Sequence, residues 1–136
     1  MPRARATFTI DEAARIIFVR YIGDLEAAEA IDSSLEQVAR IEHIWEYDHI
    51  FDLRRFEGVM LSTEVADMAK QWNQLVCGRD KGRLSAIISP DPFIHSRISL
   101  TRSVFPTRIM EVFNGFDEGI DWITRQRADR SQETAV

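Results

Sequence analysis

Arg54 and Arg55, with Ser62 and Thr63 downstream and Asp91 farther on, are the residues of this chain whose types and placement could do chemistry. A guanidinium grips a phosphate or carboxylate through paired N–H donors. A hydroxyl at the start of a helix sets any phosphate it carries against free amides and the positive end of the helix dipole. The same residues have plainer uses. Asp24, Ser62 or Thr63, and Asp91 stand where helices should begin and would cap them, while the arginines would pair with Glu57 or Glu64. A catalytic use of Asp52, Arg54 and Ser62 lacks an evident base, so no catalytic residue is assigned.

Other chemistries find less support. His43, His49 and His95 are dispersed, without His-x3-His or Cys-x2-Cys spacing, so no metal site is expected. Cys77 falls at a helix end, where the dipole opposes thiolate formation, and reads as a buried or half-buried structural cysteine. There is no G-x-S-x-G, Walker or dinucleotide-binding glycine pattern, and no cofactor is expected. Gly78–Arg83, G-R-D-K-G-R, precedes a strand rather than following one and reads as a solvated turn.

At 136 residues the chain suits one domain with one core, and 45% hydrophobic with 29% charged residues is ordinary globular usage. A formal charge of −5 argues against a general nucleic-acid binder. A single cysteine rules out an intramolecular disulfide. No apolar run approaches the ~20 residues that span a bilayer. The opening M-P-R-A-R-A-T lacks the apolar stretch of a secretory signal, so a cytoplasmic setting is expected.

The elements that must position these residues follow from periodicity. Ala6–Ile10 and Arg15–Tyr21 predict an antiparallel hairpin about a turn at Asp11–Ala14. Asp24 then caps a helix from about Leu25 to Trp45 at most, with Ile31, Leu35, Val38 and Ile41 inward. Tyr47–Gly58, Y-D-H-I-F-D-L-R-R-F-E-G, holds the central strand and the loop leaving it. A second helix buries Val65, Met68, Ala69, Trp72 and Val76 and stops at Cys77-Gly78. Leu84–Ile88 is a strand, and Asp91-Pro92 opens a third helix that runs to Pro106. Thr107–Phe113 is the last strand, and the final helix turns Ile120 and Ile123 inward. The order is β-β-α-β-α-β-α-β-α in one α/β domain, residues 1–127, with a five-stranded sheet parallel except for its amino-terminal strand. Residues 128–136 are expected to fray.

With that order in place, I-F-D-L-R-R-F-E-G at Ile50–Gly58 resembles the corresponding segment of the SpoIIAA-like family, related in fold to STAS domains. R-L-S-A-I-I-S at Arg83–Ser89, F-P-T-R-I-M-E-V-F and D-E-G-I-D-W-I extend the resemblance over nearly the whole chain. It implies a STAS-like fold, a non-enzymatic role and a cytoplasmic setting. In anti-sigma antagonists an Asp-Ser pair before the second helix carries the phosphorylated serine. Here Leu61 takes the place of the aspartate, Ser62 matches the hydroxyl, and Thr63 is its alternate.

The expected function is a non-catalytic regulatory or binding module acting through contacts with a protein partner, a homodimer included, with Arg54, Arg55 and Asp91 as anion or partner contacts. The alternative is a carrier or sensor of a small amphipathic, lipid-like ligand. It is suggested by Phe93, Phe105, Phe113, Phe116 and Trp122, which could line an apolar pocket, and by the fold's distant likeness to lipid-transfer domains.

Overall fold

The run I-I-F-V-R-Y-I combines bulk with β-branching, which favour a pleated, buried surface. The computed structural model, which describes residues 4–134 and side chains through Ser131, folds it as strand β2, Ile16–Gly23. Strand β1, Arg5–Asp11, pairs with it antiparallel, setting Phe8 opposite Val19. Strands β3 (Asp48–Phe56), β4 (Leu84–Ile88) and β5 (Ile109–Phe113) then add in parallel. The sheet order β1-β2-β3-β4-β5 follows the chain, so the expected sheet of five strands with one antiparallel edge is present.

Successive parallel strands that add on the same side, through crossovers of one hand, place their connecting helices on one face. Helices α1 (Ala27–Val38), α2 (Ser62–Val76) and α4 (Ile98–Val104) accordingly share one core with Ile17, Val19 and Tyr21 of β2 and Met110 of β5. Helix α5, Phe116–Thr134, packs alone on the opposite face, where Ile123 meets Ile50, Leu84, Ala86 and Ile88. Strand alternation divides β3 between these cores: Phe51 and Leu53 join the first, Ile50 the second.

Several helix ends differ from expectation. Helix α1 is capped by Glu26, not Asp24, and makes no side-chain cap bond. It stops at Val38, because the chain must turn through left-handed His43 (φ 56) to bury Ile44 in a 3₁₀ turn, Ile44–Glu46. Helix α2 starts one residue earlier than its hydroxyls could cap: Leu61 is the N-cap, and the Glu64 carboxylate accepts from the Leu61 N–H at 2.8 Å. The third helix is two pieces, α3 (Pro92–Ser96) and α4, broken at Arg97. Helix α5 does not end near Ala128. Its backbone is helical through Thr134, and Arg127, which donates to Asp48, Ala14 and Arg15, and Arg130, which donates to the Gly82 carbonyl, hold it to the rest of the fold as far as Arg130. Residues 135 and 136 of the expected tail lie outside the described residues.

Candidate functional site

Between the sheet and α1, α2, α3 and α4 lies a cavity of about 380 Å³, within the ~300–1,000 Å³ typical of small-molecule sites. Its origin is local. On this face β4 presents Ser85 and Ile87, with Ser89 just after it, the two serines being too small to reach the helices, and the covering segment is broken at Arg97 instead of forming one continuous helix. Ordinary cores hold few voids larger than a water molecule, so a volume this size departs from close packing. The walls are largely apolar: Leu35 and Val38 of α1, Val65, Met68 and Trp72 of α2, Ile98 of α4, and Val19 and Phe51 from the sheet.

The rim faces solvent. Val59 and Phe93 both line the cavity while 70% and 61% exposed. The loop between β3 and α2 is fixed across this opening, with Arg97 donating to the Met60 carbonyl at 2.6 Å and its guanidinium 5.0 Å above the Phe93 ring. Ser89 and Asp91 lie at the same end. The Asp91 N–H donates to Ser89 Oγ at 3.1 Å, and the Asp91 carboxylate accepts from the Phe93 N–H at 2.9 Å, so Asp91 is the helix cap that the sequence predicted.

The opposite end is polar and deeply buried. Arg108 donates from Nε to Ser85 Oγ at 2.7 Å, from Nη1 to Asp80 at 3.3 Å, and from Nη2 to the carbonyls of Leu84 and Tyr47. Asp80 also accepts from Trp72 Nε1 at 2.8 Å and from the Thr107 hydroxyl at 2.7 Å. Burial pulls the Arg108 pKa down to about 10, a fall that Asp80 partly offsets, so the guanidinium stays charged at neutral pH. His49 stands beside this group, 5% exposed, its Nε2 without a hydrogen-bond partner. Burial, and then the Arg108 charge, hold its imidazole well below the ordinary histidine pKa. His49 is therefore neutral near pH 7.

The residues singled out in the sequence are spread over both sides of the sheet. Asp52 spends both oxygens on arginines, with Oδ2 at 3.0 Å from Arg20 Nε and 2.8 Å from Arg54 Nη2, and Oδ1 at 2.9 Å from Arg54 Nε. Burial would raise the Asp52 pKa, but the bonds and charge of Arg54, helped by Arg20, hold it below the usual carboxylate range. Arg54 also lies 5.3 Å above the Phe116 ring of α5, and its partner is Asp52 rather than Glu57 or Glu64. Arg55, Ser62 and Thr63 are exposed. Of the aromatics, Phe93 and Phe105 line the cavity, whereas Phe113, Phe116 and Trp122 pack with the α5 core.

Two expectations are corrected. Cys77 is exposed, because it occupies the left-handed C-cap of α2 (φ 51), which turns its side chain outward. Gly78–Arg83 is not wholly solvated: Asp80 is fully buried as the partner of Arg108. No group of three or more His, Cys, Asp or Glu side chains suited to a metal occurs among the described residues, and no helix there is long and apolar enough to cross a membrane.

No family model and no curated protein matches the chain. Among solved structures, an uncharacterized protein from the DUF3478 family with a SpoIIAA-like fold, from Shewanella loihica PV-4, is similar with a TM-score of 0.54 at 14% identity, covering 88% of this chain and 92% of that one. The anti-sigma factor antagonist SpoIIAA in its unphosphorylated form is similar with a TM-score of 0.53 at 15% identity, covering 87% of this chain and 96% of its own. The chain has the SpoIIAA-like fold that its sequence resembled, and at these identities the likeness is one of fold.

Proposed function

We propose that this protein is a non-catalytic binding module that takes a small amphipathic ligand between its sheet and its α1, α2, α3 and α4 layer, as a carrier or sensor. The cavity carries this reading: about 380 Å³, mainly apolar walls, a polar inner end and a rim of exposed Val59 and Phe93. The test is binding of the uncharged dye N-phenyl-1-naphthylamine, whose fluorescence rises in apolar surroundings. Replacing Leu35 or Met68, both partly buried wall residues, with tryptophan should fill the space and weaken dye binding at least tenfold while the far-UV circular dichroism is kept. Dye binding unaffected by either filling variant would sink the proposal.

A second reading, a regulatory module acting through protein contacts or as a homodimer, is favoured by exposed Leu61 and Leu100, 56% and 52% accessible, in addition to the rim residues. In this reading Ser62, with Thr63 as alternate, is the regulatory phosphosite beside Leu61, and Arg54, Arg55 and Asp91 belong to the contact edge. Native mass spectrometry of protein taken from cells separates the two readings. A retained small molecule supports the first, and protomer multiples or a protein complex without one support the second.

A further inference from the structure

Four charged residues line the cavity, Arg54, Asp91, Arg97 and Arg108. Two of them are matched by carboxylates, Arg54 by Asp52 and Arg108 by Asp80. Arg97 is not: among the described residues it makes no ion pair, and its side chain gives one hydrogen bond, from Nη1 to the Met60 carbonyl. Its guanidinium also lies 5.0 Å above the Phe93 ring, so it sits between two residues of the cavity mouth. Nε and Nη2 bond to nothing among the described residues, yet neither is a buried unpaired atom, so this edge of the guanidinium is open to an incoming group. It is the side-on fork that takes a carboxylate through two parallel N–H bonds.

The inner end offers a head group nothing comparable. Asp80 and Ser85 are fully buried and Arg108 is 6% exposed, the three bonded together through the guanidinium. His49 Nε2, with under 1 Å² of accessible surface, is walled off by Phe51 and Trp72. A polar head carried inward would lose its hydration and find no partner, whereas at the mouth it keeps part of its water and meets Arg97. Asp91 stands at the same mouth but is exposed, its carboxylate accepting from the Phe93 N–H. Water screens its pull on a cation more than it screens half-buried Arg97, and one free guanidinium calls for one negative charge.

Resting on the binding role proposed above, we propose that the ligand is a monocarboxylate with an apolar chain, its carboxylate held at the mouth by Nε and Nη2 of Arg97 and its chain running inward past Met68 and Phe51. Arg97 keeps its bond to the Met60 carbonyl throughout, so one residue holds both the loop and the head.

The experiment is displacement of N-phenyl-1-naphthylamine from the full chain at pH 8 and low salt by decanoate, 1-decanol and decyltrimethylammonium. Decanoate should displace the dye at a concentration at least tenfold below decyltrimethylammonium and no higher than 1-decanol, although the alcohol leaves water more readily. In Arg97→Met decanoate should need at least tenfold more, while the values for the dye and for 1-decanol change less than threefold. Loss of the loop contact alone would weaken all of them alike. A wild-type measurement covers a variant that fails to fold: decanoate, but not 1-decanol, should shift the ¹⁵N resonance of Arg97 Nε. If the dye does not bind the wild type, both the binding role and this inference fall. If it binds but the cation competes as well as decanoate, Arg97→Met weakens decanoate no more than 1-decanol, or the Nε resonance does not move, this inference alone is overturned.

Discussion

Asp80 and Arg108 meet at 3.3 Å with side chains 0% and 1% exposed, joining the loop after α2 to the residue just before β5. Both partners are otherwise satisfied, Asp80 by Trp72 and Thr107, Arg108 by Ser85 and two backbone carbonyls. A pair so placed adds little over a well-packed apolar pair, but breaking it strands a charge in the core.

The expected cost of Asp80→Asn is therefore ~3–5 kcal/mol of unfolding free energy. The substitution keeps a carbonyl for Trp72 while leaving the Arg108 charge unmatched. Arg108→Met should cost a similar amount, and the double variant should be less destabilised than the sum of the two by more than ~1 kcal/mol. Urea unfolding of the four proteins checks this, and strict additivity would contradict it.

Acid should destabilise the fold in two stages. His49 has a folded pKa well below its ordinary 6.5, so as pH falls through 6.5 the unfolded chain takes up a proton that the folded chain refuses. Stability is then full above pH 6.5 and declines below it, with a slope approaching ~1.4 kcal/mol per pH unit. Asp52, held below 3.8 by Arg54 and Arg20 against the effect of burial, contributes stability above that pH and loses it only as its folded carboxylate protonates. Thermal unfolding from pH 8 to 3 should show both stages in the wild type and only the lower one in His49→Phe.

The difference between what local pattern revealed and what it hid follows the range of the interactions. The order of elements along the chain and the strand directions were legible because Ile16–Tyr21 and Ile50–Leu53 carry β-favouring residues, and because helices between strands leave few topologies. Asp80 was not, since G-R-D-K-G-R has the composition of an exposed turn and its partner lies 28 residues away. Nothing in Y-D-H-I marks His49 as buried, because its burial comes from α2 and the Arg108 group rather than from its neighbours in sequence. The cavity depends on Ser85 and Ser89 facing a helix broken at Arg97, a three-way coincidence that periodicity does not encode. Phe93 and Phe105 were its one visible sign.

Gly58 closes the loop from β3 against the start of α1. A Cβ there would lie 2.4 Å from the Leu25 carbonyl oxygen and 2.7 Å from the Phe56 ring, which itself packs edge-on against Tyr21. The backbone oxygen cannot rotate away as a flexible side chain could, so Gly58→Ala should displace the loop and cost ~1–3 kcal/mol. Because Gly58 also lines the cavity, the variant should bind N-phenyl-1-naphthylamine more weakly than the wild type. A variant with unchanged stability would show that the loop moves freely.

The start of α2 separates a structural role from a regulatory one. Leu61 is the N-cap and offers no side-chain acceptor, whereas the Glu64 carboxylate takes the Leu61 N–H at 2.8 Å. This is half of a capping box, and the half that is present belongs to Glu64. Glu64→Ala should therefore cost ~0.5–1 kcal/mol, and Ser62→Ala, at an exposed first-turn position without a cap bond, should stay within ~0.5 kcal/mol of the wild type. Ser62→Asp adds a negative charge at the positive end of the helix dipole and should stabilise by ~0.3–1 kcal/mol at low salt, an effect that fades as salt is added. Urea unfolding of the three variants decides the point. If Ser62→Ala costs as much as Glu64→Ala, Ser62 is bound into the helix start, and a phosphate on it would disturb the fold as well as the surface.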